Sequence, residues 1–273
     1  MEKNKMNIGG GTRKMAPDVA GGFYPSDPAL LRRTVNTLIR EAEAPSASGN
    51  LKALIVPHAG YIYSGPVAAK GYRLVRDLEQ TKTWEVIIVG PAHYVPFKGV
   101  CVGLYDEFAT PLGSVKVSKS TWKFLDSGAI FLPQAHENEH CIEVQLPFLH
   151  HCLRNFEIIP ILTGSVDPVK VADMIEPFLD DDTILLISTD LSHQLPYERA
   201  REIDTQTLDW IIRGDEHSLK KHGEACGLTG IISMLELSKR LDWRRELIAY
   251  ATSGDTYGPK NRVVGYGCVA CFK

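Results

Sequence analysis

Apolar positions in this chain follow two patterns. Four short runs, Ala53 to Val56, Val86 to Val89, Glu157 to Leu162 and Thr183 to Ser188, are rich in Ile, Val and Leu. They are too short and too β-branched for helices and read as buried strands. Longer stretches with helical spacing separate them. Ser26 or Asp27 caps a helix from about Pro28 to Glu43. Val67 to Leu78 is helical, with Ala68, Leu74 and Leu78 on its apolar side. Further helices are expected near Val169 to Leu179, Tyr197 to Ile212, Glu216 to His222 and Leu228 to Leu241. Gly60 to Gly65 reads as a tight turn. Residues 100 to 117 form a shorter β region with a turn at Pro111-Leu112-Gly113, and Ser118 caps a short helix ending at Asp126. Residues 246 to 252 and 263 to 271 supply two final strands. Residues 1 to 15, with Gly9-Gly10-Gly11, read as a flexible tail, and Pro45 to Asn50 as a polar connector. Strands alternating with helices predict an α/β fold in three layers, as a single domain over 16–273.

Composition narrows the classes. The chain has 273 residues, 44% hydrophobic and 23% charged, with a net charge of −3, which describes a globular protein with one sizeable core. No long basic run marks a nucleic-acid surface, and no apolar run has the length of a membrane span. The N-terminus lacks the apolar segment of a secretory signal. Six cysteines with uneven spacing do not read as a disulfide framework. A reducing cytoplasm is the simplest compartment.

The candidate chemistry sits where strands end. Val56-Pro57-His58-Ala59-Gly60-Tyr61 and Gly90-Pro91-Ala92-His93-Tyr94-Val95-Pro96 share one grammar: a buried strand, a proline that cannot extend the ladder, then a histidine. The carboxyl ends of strands are where α/β sheets hold ligands. One such histidine is ordinarily structural; two identical exits point to a shared metal or catalytic site. Ser188-Thr189-Asp190-Leu191-Ser192-His193 leaves a strand in the same way. Asp190 is placed to orient an imidazole, or to cap a helix. Cys226 follows a glycine-containing turn and precedes a helix, a setting that favours thiolate; the competing reading is a small buried hydrophobe.

His136-Glu137-Asn138-Glu139-His140 matches H-E-x-x-H literally. Every residue in it is polar and Pro133 sits just upstream, so a zinc-protease helix is not expected. A better helix starts at Glu139, His140 and Glu143, and Pro147 predicts an early break in it. A capping and salt-bridge cluster explains those residues equally well. Cys268 and Cys271 point to opposite faces of a strand and read as core. Adjacent His150 and His151 diverge by about 100° on a helix, so they do not share a metal. His217 and His222 read as solvated.

In order along the chain, the two strand–Pro–His motifs, Glu139-His140-Cys141-Ile142-Glu143 with Leu146-Pro147, Ser188 to His193, and Ala225-Cys226-Gly227 resemble the Memo family, also called AmmeMemoRadiSam system protein B. The loop Ala20-Gly21-Gly22-Phe23-Tyr24-Pro25 resembles its N-terminal motif. The resemblance covers residues 16 to 273. It implies the fold of class III extradiol dioxygenases, with a central mixed, mostly parallel sheet. It also implies His58, His93 and Cys226 as metal ligands, His193 as acid/base and His140 as a second pocket histidine. A thiolate in place of the dioxygenase carboxylate is softer, so the expected metal is iron or copper, with zinc also compatible.

Three functions remain open on the sequence. The first is an iron- or copper-dependent oxidoreductase acting on a small substrate with O₂, in which His193 moves a proton with help from Asp190 and His140 hydrogen-bonds the substrate or oxygen. The second is a non-catalytic module binding a peptide or a metal in the same cleft. Phe23, Tyr24, Tyr61, Tyr94 and Glu143 line the pocket in both. The third is a cysteine hydrolase built on Cys226, His193 and Asp190. The expected partner is a small molecule or a peptide, and a homodimer is compatible with the chain.

Overall fold

The computed structural model describes residues 13–43 and 49–273. Most of the expected tail and of the 45–50 connector lies outside the described residues. Lys14 and Met15, placed in that tail by the sequence, instead form β1 (Lys14–Met15), paired with Glu107 and Phe108. In chain order there follow β2 (Leu51–Val56), β3 (Trp84–Pro91), β4 (Val100–Val102), β5 (Glu107–Thr110), β6 (Gly113–Val117) and β7 (Phe156–Thr163). The last four are β8 (Thr183–Ser188), β9 (His193–Leu195), β10 (Arg244–Thr252) and β11 (Val263–Phe272).

All eleven belong to one sheet, ordered β1-β5-β6-β7-β3-β8-β2-β11-β10, with β4 joined to β7 and β9 to β11. From β6 to β2 every neighbour is parallel. The antiparallel pairs lie outside that run: β11 on β2, β10 and β9 on β11, β5 on β6, and β4 on β7. The fold is therefore α/β with a mixed sheet that is parallel at its centre.

The central strands are apolar over most of their length because both their faces are covered. Leu54, Val56, Val86, Ile88, Ile184 and Leu186 point into one core, beneath the helices Pro28–Glu41, Tyr61–Arg76 and Leu146–Cys152. Ala53, Ile55, Ile87, Val89, Leu185 and Ile187 point into the other, beneath Pro168–Ile175, Tyr197–Arg213 and Leu228–Arg240. Cys268 belongs to the first core and Cys271 to the second, as strand alternation requires.

One local expectation fails for a physical reason. Gly60 to Gly65 is not a turn: Gly60 precedes a helix that already begins at Tyr61. Gly65 lies close against the neighbouring helix, where a Cβ on it would fall 2.9 Å from Leu38 Cδ1. The stretch from Pro133 to Cys152 is broken into short turns, in keeping with the early break expected from Pro147. A turn over Pro133–His136 ends where Asn138 adopts φ 63°, Glu139 caps a new turn His140–Glu143, and Leu146–Cys152 restarts with Pro147 in its first turn. No helix among the described residues is long and apolar enough to cross a membrane.

Candidate metal centre

β3, β8 and β2 lie side by side and parallel, so their carboxyl ends open on the same edge. His93 follows β3, Asp190 follows β8, and His58 follows β2. The loop carrying Cys226 is docked on the β8 exit. Gly227 N–H donates to Thr189 Oγ1 at 2.8 Å, and Cys226 N–H donates to the Asp190 carbonyl at 3.2 Å. This docking needs glycine at 227, because a Cβ there would come within 2.7 Å of Thr189 Cβ. The result brings donor atoms of His58, His93 and Cys226 within 4.8 Å of one another.

Each imidazole is aimed through its Nδ1. His58 Nδ1 lies 3.0 Å from Ser188 Oγ. That hydroxyl gives its single proton to the Cys141 carbonyl at 2.5 Å and accepts from Gln145 Nε2 at 2.9 Å. His58 Nδ1 must therefore be the donor, which leaves Nε2 facing Cys226 Sγ at 3.3 Å. Two donors on one tetrahedral ion stand roughly 3.5 Å apart, so this pair is already near ligating separation. His93 Nδ1 lies 2.9 Å from Glu139 Oε1, while Glu139 Oε2 accepts the His93 backbone N–H at 2.7 Å. Glu139 Oε1 also accepts the N–H groups of His140 and Cys141. A carboxylate or hydroxyl on Nδ1 with Nε2 free is the outer-shell pattern that fixes ligating histidines.

The charges follow from these contacts. Burial raises the Cys226 thiol, but the nearby His58 and the hydrogen bonds from His58 and His93 outweigh it and bring it down to about 5. The Asp190 N–H adds a contact at 3.2 Å to the same sulfur. Burial opposes protonation of His93, yet hydrogen bonds to Cys226 and Glu139 raise it to about 10. His58 is raised as well, against burial, by Asp190 and Cys226. Burial works against the Glu139 carboxylate too, but its bonds to His93 hold it at about 2.

His140 joins the cluster as a third ring. It stacks on His93 at 4.8 Å, meets His58 edge-on at 5.2 Å and touches Phe23 at 4.8 Å. Burial, then the charge on His58, lowers it to about 4, so it is neutral at pH 7. Its buried Nδ1 has no hydrogen-bond partner. Tyr94 is 60% exposed and stands 6.1 Å from the His140 ring, at the rim.

The other expected residues are placed differently. Tyr24 and Tyr61 are buried; Tyr24 O–H bonds the Glu143 carboxylate and Tyr61 O–H donates to the Val144 carbonyl. Glu143 also accepts the N–H groups of Asp18 and Val19, so it fastens the N-terminal loop beneath Phe23 rather than opening on the cluster. Asp190 Oδ1 accepts the His58 backbone N–H at 2.8 Å and so tethers His58. His193 is exposed, its backbone pairs with Val264, and it lies outside the groups of described residues suited to hold a metal. His136 packs against Gly103 and 6.1 Å from the Tyr105 ring, a different neighbourhood from His140.

Three residues that sequence reasoning did not assign to the site matter to it: Ser188, Gln145 and Glu139. Glu139 was visible as a helix cap. Nothing in the sequence marks a serine inside an apolar strand or a glutamine between two helices as parts of the site.

A family model described as Memo-like protein matches residues 15–270. A MEMO1 family protein of Saccharolobus solfataricus is 37% identical, over 92% of this chain and 96% of its own. One from Metallosphaera sedula is 36% identical, and one from Saccharolobus islandicus 35%, each over 93% of this chain and 97% of its own. The sheet, the three strand exits and these matches agree, and the chain belongs to the Memo-like family.

Proposed function

We propose that the chain is a metal-dependent oxidoreductase in which His58, His93 and Cys226 hold one iron or copper ion. The observation that carries this reading is the locking of both Nδ1 atoms, by Ser188 and by Glu139, with a thiolate between the remaining ring nitrogens. Two imidazoles and a soft thiolate suit copper or iron, and zinc as well. Three protein ligands leave room for an exchangeable molecule, whereas a fourth would close a tetrahedral site. The ion, when bound, supplies Lewis acidity and one-electron chemistry. Around it, neutral His140 hydrogen-bonds the bound small molecule, with Phe23 and Tyr94 as apolar neighbours. His193 is assigned proton transfer on its strand exit and on the family resemblance. Asp190 holds His58 and the Cys226 loop in place.

A cysteine hydrolase is the second reading, favoured by the 3.3 Å contact between Cys226 Sγ and His58 Nε2. In that case the base is His58 and not His193.

Elemental analysis of protein purified without added metal tests the first reading. Stoichiometric iron or copper is expected in the parent and in His193→Ala, and little in His58→Ala, His93→Ala or Cys226→Ser. A His193→Ala protein as empty as His58→Ala makes His193 a ligand. Metal-free parent protein that is acylated at Cys226 by activated esters favours the hydrolase. Retained metal without oxygen uptake across a substrate panel favours a binding module.

A further inference from the structure

At the opposite edge of the sheet, where β3, β6 and β7 begin, lies an open cleft of about 770 Å³. We propose that this cleft binds a small phosphorylated anion, independently of the metal centre. Arg76, Lys116 and Arg154 line it, with Ser114, Thr83 and Asn155 as neutral hydrogen-bonding groups between them. Its volume falls in the range of small-molecule sites.

The cations there have no assigned work. Among the described residues, neither Arg76, Lys116 nor Arg154 is in an ion pair with a carboxylate. Arginines near helix ends commonly serve the last carbonyls. Here the Gln80 amide does so instead, donating to the carbonyls of Arg76, Leu78 and Cys152 at 3.2, 3.0 and 3.1 Å. Glu157 is the single carboxylate among the cleft-lining residues, so the wall is net positive in a chain whose overall charge is −3.

One of the two cleft histidines registers that field: His151 is held below the ordinary imidazole value by burial first, then by Arg76 and Arg32. His150 is lowered by burial, against its bond to the Gly113 carbonyl, and by Arg32, which does not line the cleft. Guanidinium groups match phosphate oxygens in bidentate geometry. Two of them and an ammonium around one cavity suit a ligand with two or more negative charges, such as a diphosphate. A monocarboxylate would leave most of the positive charge uncompensated.

Calorimetric titration of the full-length protein with sodium pyrophosphate, in magnesium-free buffer at about 50 mM salt, tests the assignment. One saturable site is expected, with affinity falling as salt rises. The Arg76→Ala/Arg154→Ala double variant should lose at least about 10-fold in affinity, and Arg76→Lys/Arg154→Lys should recover part of it. Arg213→Ala, which removes an equal type of charge from a distant helix, should bind as the parent does, and so should Cys226→Ser. Circular dichroism spectra matching the parent's are required of each variant, and the lysine pair carries the test if the alanine pair fails to fold. Absence of saturable binding overturns the proposal, as does undiminished binding in both double variants. Equal affinity for sulfate at matched ionic strength would reduce the site to unspecific charge, and loss of binding in Cys226→Ser would move it to the metal centre.

Discussion

Replacing Ser188 by alanine tests the wiring of the proposed metal centre at its least conspicuous point. Ser188 Oγ is fully buried and serves three groups: the Cys141 carbonyl, Gln145 Nε2 and His58 Nδ1. In Ser188→Ala, Gln145 keeps the Pro57 carbonyl at 3.0 Å. The His58 Nδ1–H and the Cys141 carbonyl both lose this partner in a dry interior. A buried group left unsatisfied costs roughly 1–3 kcal/mol, so about 2–4 kcal/mol of stability is expected to go once some relaxation is allowed. At 2–4 °C per kcal/mol for domains of this order of size, the metal-free variant should melt roughly 5–15 °C below the parent. The second effect is on binding. With nothing to fix the His58 tautomer and ring angle, metal affinity should fall about 10–100-fold. Calorimetric melting of the metal-free proteins reads the first, and competition with a chromophoric chelator reads the second. A variant that melts within about 2 °C of the parent and binds metal within about twofold would show that His58 is not held through Ser188.

Gly90→Ala should act from the other side of the site: its Cβ would fall 2.3 Å from Cys141 Sγ, pushing the turn that carries Glu139 and His140 off β3. A loss of about 1–3 kcal/mol and lowered metal content are expected, and parent-like melting with full metal would contradict the packing argument. Burial lowers His136 to about 4. Between that value and the 6.5 of an unfolded histidine, the unfolded chain holds the proton and the folded chain does not, so this contribution is complete above pH 6.5 and is lost on acidification. His136→Gln should therefore flatten the fall in urea-unfolding free energy between pH 7.5 and 4.5 by up to about 3 kcal/mol, and parallel profiles would count against it. Cys226 is the one partly exposed cysteine and its thiol is held at about 5, while burial raises the other five. Iodoacetamide at pH 6 should label Cys226 first in metal-free protein and slowly after metal is added, as read by peptide mass mapping; prior labelling of another cysteine would refute this.

The fold was largely legible because its central strands are buried on both faces. Runs such as Thr183 to Ser188 carry no polar alternation and cannot be mistaken for surface helices, and the observed β8 has those bounds. The strand–Pro–His exits were legible for a related reason: proline marks where the ladder ends. The start of the helix at Tyr61 was hidden, because Gly60, Gly65 and Pro66 look like a turn until Leu38 is known to pack on Gly65. The break at Asn138 and the bond from the His58 backbone N–H to Asp190 were hidden too, since both depend on segments distant in sequence. Glu143 looked like a pocket carboxylate beside His140, but the N-terminal loop claims it with two backbone N–H groups and the Tyr24 hydroxyl.

Cys226 and His58 are in contact across 168 residues of chain. An unfolded polymer closing a loop of that length gives up about 4.5 kcal/mol of entropy before any ligand bond forms. If these residues hold an ion as proposed, the denatured chain would be a poor competitor for it, and nearly all of the binding free energy would appear as folding stability. The same span imposes an order in time. During synthesis the two histidines emerge early and the thiol late, so the proposed ligand set is complete only once residue 226 has been made and folded back against β8. On the proposed reading, ion capture would mark the docking of the Cys226 loop on β8, ahead of β10 and β11, and a nascent chain stalled before residue 226 would have no means of retaining a metal at this centre.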